Sequence, residues 1–372
     1  MILGAGFAGL ELSTRLSESL SDDVRVTLID RNNSFFFGFS KFDVLFFGKP
    51  AEGVLLYYKD VVKDGVEFRQ ETITKIDPES RHVETDRGSY DADILVVALG
   101  AEYDYDATPG LSEDGYEFYS MTGAERLRDK LPSVERGNVL VAVLGEPYKC
   151  PPAPFEGAFL LHEYFTKRGV RDAITIKTMG YMGAPVPIAK EVSERLLAAL
   201  DERGIEFLPK RTVKRLDTGK KLAVFEDGET IPYDLFIGVP VHRVPRVVEE
   251  SGLAVNGWVP VDTTNLSTRF PDVYALGDVA AANTAKAGVF AESAARAVAD
   301  DIAVRIRGTG KAAPFDGTGN CYIEFGGGLV AKVEADFLSG PTPKARLSGP
   351  SKAIAEEKVQ FAQERRRRWF GG

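Results

Sequence analysis

Three glycines at the start of the chain constrain it most. MILGAGFAGLELSTRL places Gly4, Gly6 and Gly9 in the spacing G-x-G-x-x-G, with a helical pattern after them and then VRVTLID, a strand that ends at Asp30. The first glycine permits a tight turn from strand to helix. The second leaves room for a pyrophosphate against the backbone, and the third lets helix and strand pack closely. The helix start, with Phe7 and Ala8, then offers unpaired N–H groups to the phosphates. Asp30, followed by Arg31, stands where an acid accepts from a ribose hydroxyl. The pattern predicts an α/β fold with a dinucleotide at its first turn; a glycine-rich turn without ligand is the bland alternative. Only Met1 to Leu3 precede the triplet, so the first strand is short or the given chain lacks its true start.

Two later blocks have the same character. DADILVVALGAEYD, Asp91 to Asp104, reads as a buried strand running through Ala98 to Gly100. TRFPDVYALGDVAAANTAKAGVF contains a strand over Val273 to Leu276, then Gly277-Asp278, and a helix beginning near Ala287. An acid after a strand-terminal glycine can accept from a polyol hydroxyl, and the helix beyond aims its positive end the same way. At 372 residues the chain is too long for one typical core, so two domains are expected.

Composition excludes several roles. A net charge of -9 and a pI near 5.2 argue against nucleic-acid binding, which needs surplus Lys and Arg. No apolar run is long enough to span a membrane, and no signal peptide precedes the glycine motif. A cytoplasmic protein, or one peripheral on the inner face of the cytoplasmic membrane, is expected. His82, His162 and His242 are scattered and make no metal site.

Taken in order, these blocks resemble the two-dinucleotide-binding-domain, disulfide-reductase-like flavoproteins. The resemblance implies two Rossmann-like domains, the second inserted in the first, plus a short C-terminal α+β segment. Its boundaries would be 1–113 with 248–310 for FAD, 114–247 for the second domain, and 311–372 for the tail. It implies FAD held by Gly4, Gly6, Phe7, Ala8, Gly9, Asp30, Arg31, Lys41, Ile73, Ala98, Gly100, Gly277, Asp278 and Lys286. Within 114–247, NVLVAVLG, AITIKTMGYM and FLPKRTVKRL read as strands, with LAVFEDGETIPYD as a peripheral hairpin. GAFLLHEYFTKRG and AKEVSERLLAALDERG read as helices.

The second domain should carry its own glycine triplet after its first strand. This chain has LGEPYKCPPAPFE there, retaining Gly145 alone. Pro147, Pro151, Pro152 and Pro154 have no backbone N–H to give a pyrophosphate, which disfavours NAD(P)H as the donor. K-C-P-P-A-P-F-E is similar to the sulfide-oxidising branch, the sulfide:quinone oxidoreductases and the flavoprotein subunit of flavocytochrome c sulfide dehydrogenase. That resemblance implies a redox pair between Cys150 and the other cysteine, Cys321 in TGNCYIEFGGG. Cys321 would be the flavin-facing thiolate and Cys150 the sulfur carrier. Two unrelated buried thiols are the alternative. Glu156 is a candidate proton acceptor or a first-turn glutamate that favours the helix dipole. Lys149 is a candidate thiolate stabiliser or a solvated lysine. Lys286 is a candidate cation against the flavin or a surface lysine.

The chain departs from that branch in three places. It lacks the third cysteine usual in the quinone enzymes. Its segment NNSFFFGFSKFDVLFFGK contains no cysteine, so FAD should be non-covalent, with the phenylalanines walling it. Its short tail ends in ERRRRWF, for which two readings stand. The arginines could meet anionic headgroups while Trp369 and Phe370 dip into the interface, a weak peripheral contact. The alternative docks both aromatics on the protein. The expected function is FAD-dependent oxidation of sulfide or another small sulfur compound, with transfer to a quinone or a haem protein. An NAD(P)H-dependent quinone or disulfide reductase and a flavin-holding redox sensor are the rivals. A homodimer is compatible with the sequence.

Overall fold

The computed structural model describes residues 1–371. The apolar run before the glycine triplet forms β1 (Ile2–Leu3), which turns into α1 (Phe7–Leu20). After them come β2 (Val26–Asp30), α2 (Ser40–Phe46), β3 (Val66–Gln70) and β4 (Leu95–Val97). A second run follows: β5 (Gly115–Tyr116), β6 (Gly137–Val143), α3 (Ala153–Lys167), β7 (Ile174–Gly180), α4 (Lys190–Asp201), β8 (Ile205–Pro209) and β9 (Leu235–Val239). The chain then forms β10 (Val273–Ala275) and α5 (Gly288–Arg307). It ends with β11 (Thr318–Glu324), β12 (Val330–Asp336), β13 (Lys344–Ser351) and α6 (Lys352–Phe370).

These elements make a mixed α/β architecture with two parallel sheets. The first has the order β10-β4-β1-β2-β3 and the second β5-β9-β6-β7-β8. Parallel strands are covered on both faces, so they read as continuous apolar runs instead of alternating. Val139 to Val143 of β6 and all of β9 are buried accordingly. β11, β12 and β13 form an antiparallel sheet that leads into α6.

Local reading erred where one apolar pattern serves two sheets. FLPKRTVKRL is not one strand. β8 closes the second parallel sheet at Pro209, Lys210 turns the chain at φ +56°, and Val213–Asp217 begins a separate antiparallel meander. DADILVVALGAEYD contributes only Leu95–Val97 to the first sheet, and Glu102–Asp104 pairs instead with Val241–Arg243. The helix read over GAFLLHEYFTKRG begins four residues earlier, at Ala153, which puts Glu156 in its first turn.

The tail settles against the first sheet's helices, which overturns the interfacial placement of its aromatics. Trp369 is fully buried and its indole Nε1 donates to Glu11 Oε2 on α1 at 2.9 Å. Its ring meets Phe7 and Phe35 edge-on and stacks on Phe37, and Phe370 is buried beside Tyr58 and Phe35. Glu11 is the reason. It is 1% exposed, and a buried carboxylate without donors is costly. Burial pushes its pKa up, but the hydrogen bonds from Arg368 and Trp369 hold it below the ordinary value. Arg368 also reaches Glu18, and Arg365 pairs with the buried Glu292 of α5. Arg366 and Arg367 alone of the four arginines remain exposed. No helix among the described residues is long and apolar enough to cross a membrane.

Trp369→Ala should therefore lower stability by about 3–5 kcal/mol in urea unfolding. Replacing the exposed Arg366 and Arg367 with serine should change it by no more than about 0.5 kcal/mol each. An unshifted midpoint for Trp369→Ala would mean that the tail is not docked in solution.

Candidate active site

The glycine turn is built by close approach. Gly4 has φ +101°, and a Cβ there would lie 2.4 Å from the Ala98 carbonyl oxygen. A Cβ on Gly9 would lie 1.9 Å from the Gly4 carbonyl oxygen, whereas one on Gly6 would meet open space. The first and third glycines thus serve packing, and the second leaves the backbone approachable. Asp30 pins the turn: its Oδ2 accepts from Ala5 N and its Oδ1 from Asn32 N, each at 2.8 Å. Arg31 pairs with Glu102, and Ile73 opens the meander that runs to Asp91.

The turn opens onto a cavity of about 350 Å³. Gly6, Phe7, Ala8, Lys41, Ala98, Gly100, Gly277, Asp278 and Lys286 line it together with Cys150, Glu156 and Cys321. Gly4, Gly9, Asp30, Arg31 and Ile73 lie outside that lining. Phe35, Phe36, Phe39 and Phe42 form an aromatic wall, Phe37 backs it, and Phe47 is 47% exposed and takes no part. The residues fit a dinucleotide. The N-termini of α1 and α5 both open onto the cavity at Gly6 and Ala287, and neither has a side-chain cap. Uncapped N–H groups at two helix starts are what phosphate oxygens need.

The loop from Tyr148 to Glu156 forms the wall that faces this turn. From Lys149 onward the backbone donors are already spent. Lys149 N donates to His242 Nε2 at 3.3 Å and Cys150 N to Lys286 O at 2.7 Å. Ala153 N goes to Cys150 O, and Phe155 N and Glu156 N both go to Pro152 O. The prolines between them have none to give. The loop therefore offers no phosphate cradle. Cys150 sits at φ +50°, a left-handed conformation that non-glycine residues seldom adopt. The Lys149 amine donates to Ala101 O at 2.7 Å and Tyr103 Oη at 3.3 Å. The Lys286 amine donates to Asp278 O at 2.5 Å and lies 3.4 Å over the Trp258 ring. It is 7% exposed, so it braces the Gly277-Asp278 turn and is not a surface lysine.

Cys321 enters from β11, where it sits opposite Val333 of β12. Both thiols are unbonded and half-buried. Burial pushes the Cys150 thiol well above its ordinary value, and Cys321 adds to the shift, so the two groups share one field. Burial and then Glu156 push Cys321 up to about 12. Glu156 is 2% exposed; its Oε1 accepts from Glu324 N at 3.0 Å and lies 3.9 Å from Lys358 Nζ. Burial pushes its pKa up to about 7 despite that lysine. Burial opposes the charge on Lys358, but Glu156 and Glu324 outweigh it and hold its pKa above the ordinary value; its amine donates to Glu324 Oε1 at 2.6 Å.

Several residues here carried no readable sign. His242 is buried between Tyr103 and Tyr119, and burial, then Lys149, push its pKa down to about 3. It is a neutral acceptor for the Lys149 N–H. Lys358, Glu324, Asn320, Tyr322 and Phe361 come from the C-terminal segment. Their only sign was nearness to Cys321 or a place on the tail helix. His162 lies outside the cavity lining, its Nδ1 accepting from Arg171 Nε at 2.9 Å.

Comparison with known proteins bears on the fold and the family. The family model described as pyridine nucleotide-disulphide oxidoreductase matches residues 1–146 and 160–299. It passes over 147–159, the proline-rich loop with Cys150. Mitochondrial sulfide:quinone oxidoreductase of Mus musculus is 26% identical over 361 residues, covering 92% of this chain and 78% of that protein. A type II NADH:quinone oxidoreductase of Staphylococcus aureus is 28% identical over 308 residues, covering 76% and 74%. The sulfide:quinone oxidoreductase structure from Aquifex aeolicus superposes with a TM-score of 0.87 at 20% identity, covering 100% of this chain and 92% of that one. With the family model spanning most of its length, the chain belongs to the pyridine nucleotide-disulphide oxidoreductase family and is a flavin-dependent oxidoreductase.

Proposed function

We propose that this protein oxidises sulfide, or a closely related small sulfur compound, through a Cys150–Cys321 disulfide and delivers the electrons to a quinone. The observation that carries this reading is that the chain's only two cysteines, on elements 171 residues apart in sequence, line one cavity with the flavin-type glycine turn. The relatives named for sulfide and quinone support the substrates. The uncapped starts of α1 and α5 would hold FAD non-covalently, and among the described residues no cysteine other than these two stands at the cavity.

Hydrosulfide attacks Cys150 Sγ of the disulfide. A bond forms from the incoming sulfur to Cys150, the Cys150–Cys321 bond breaks, and its electron pair stays on Cys321 as thiolate. Glu156, poised near neutrality, takes the proton of the bound hydrosulfide. FAD, when bound, supplies the two-electron acceptor that links this pair to the quinone. The Cys150 persulfide passes its outer sulfur to a second nucleophile. Burial raises the thiol pKa values, so the pair depends on local partners to carry negative charge.

The resemblance to type II NADH:quinone oxidoreductases favours a second reading, with NADH as donor to the same quinone. The spent N–H groups and prolines of the Cys150 loop weigh against it, since a second dinucleotide would find no donors there.

Anaerobic mixing separates the readings. Sulfide should bleach the flavin rapidly and NADH slowly; the opposite order would sink the sulfide reading, and slow reduction by both would favour a redox sensor. Cys150→Ser and Cys321→Ser should each retain flavin and lose nearly all sulfide-dependent reduction. Full activity in either variant would remove the disulfide from the mechanism.

Glu156→Gln should lower turnover roughly 10²-fold. It also has a stability signature. The folded protein binds this proton more tightly than the unfolded chain. Its contribution is therefore present below the ordinary carboxylate range and is lost as pH rises through about 7. Between pH 4 and 8 the wild type should lose up to roughly 3 kcal/mol relative to Glu156→Gln in urea unfolding. Parallel pH profiles would show that the carboxyl is not desolvated.

A further inference from the structure

Three lysines line the cavity, and two have their amines committed. Lys149 is held by Ala101 O and Tyr103, and Lys286 by Asp278 O and the Trp258 ring. Lys41, on the first turn of α2, is different. Among the described residues no ion pair or hydrogen bond holds its amine, which lies 5.5 Å from the centre of the Phe36 ring and close to Gly38. The groups whose charges it feels are Lys149, Glu117 and Cys150. Glu117 cannot serve as its partner, because both carboxylate oxygens are occupied. Tyr119 N and Ser120 N donate to one, and Ser120 Oγ and Tyr105 Oη to the other. An unpaired cation in an aromatic-walled cavity beside a cysteine is unfavourable unless an anion completes it.

We propose that Lys41 is a substrate-binding residue: its ammonium holds the negative charge of the sulfur anion that attacks Cys150, an assignment that rests on the sulfide reading above. The chemistry requires such a group. Hydrosulfide enters as an anion, and the persulfide formed on Cys150 ionises readily. The other lysines cannot turn to either without abandoning the backbone carbonyls they hold. Burial and then the charge of Lys149 push the Lys41 pKa down to about 8, so the amine still carries its charge at neutral pH and an arriving anion favours that form.

The test uses holoenzyme carrying Cys321→Ser, in which Cys150 is the one remaining thiol. Its alkylation by anionic iodoacetate and by neutral iodoacetamide is followed by intact mass at pH 7, where the Lys41 amine is charged, and the ratio of the two rates is the readout. Lys41→Met should lower the iodoacetate-to-iodoacetamide ratio about tenfold, and Lys41→Arg should keep it within about twofold. An unchanged ratio in Lys41→Met overturns the proposal. So does loss of bound flavin from Lys41→Met with the ratio preserved, because the amine would then serve the cofactor. With both cysteines present, Lys41→Met should raise KM for sulfide about tenfold while kcat falls far less. A lowered ratio in a protein whose flavin sulfide does not reduce would leave the anion site standing and sink the sulfide reading instead.

Discussion

A backbone hydrogen bond, from Cys150 N to Lys286 O at 2.7 Å, joins the two halves of the site. The loop after β6 belongs to the second sheet, and the segment before α5 belongs to the first. Where they meet, Lys149 and Lys286 form an isolated parallel bridge. Cys150 adopts its left-handed conformation at this seam, which costs about 1–2 kcal/mol for a residue with a Cβ. The surroundings over-determine it. Lys149 anchors the residue before to Ala101 and Tyr103, and Lys286 anchors the opposite strand to the Asp278 carbonyl. The thiol consequently faces the cavity and the glycine turn.

The C-terminal segment completes the site from the third side. β11 brings in Cys321 and continues to Glu324, whose N–H holds Glu156 and whose carboxylate holds Lys358. α6 carries Lys358 near its start and Trp369 at its end, so one helix reaches both Glu156 and α1, the helix behind the glycine turn. Glu11 and Glu292 sit in α1 and α5, the two helices whose starts open onto the cavity, and arginines of α6 satisfy both. The basic tail neutralises acids buried in the helices that open onto the cavity.

The sequence disclosed what is local. The glycine spacing, the strand ending in Asp30 and the Gly277-Asp278 turn each take their meaning from a few adjacent residues, and the structure brings all three to one edge of the first sheet. The two cysteines were legible through their flanking segments. What stayed hidden depends on contacts across the chain. Lys358 becomes a partner of Glu156 only when α6 packs over β12 and β13. His242 becomes a neutral acceptor only because two tyrosines bury it. ERRRRWF has the composition of an interfacial anchor, and only the buried carboxylate of Glu11 decides where it goes. FLPKRTVKRL reads as one strand because nothing in its pattern announces the turn at Lys210.

The replacement of the second phosphate loop can be followed donor by donor. A pyrophosphate site requires several adjacent N–H groups free and converging at a helix start. Prolines at 151, 152 and 154 delete three such groups, and Cys150 and Lys149 spend theirs on Lys286 O and His242. α3 begins against β11, and that contact brings Glu156 to Glu324 and Cys321 into the same cavity as Cys150. The loop that spends its donors on Lys286 O and His242 is thus the same loop that carries Cys150 to Cys321 and Glu156 to Glu324.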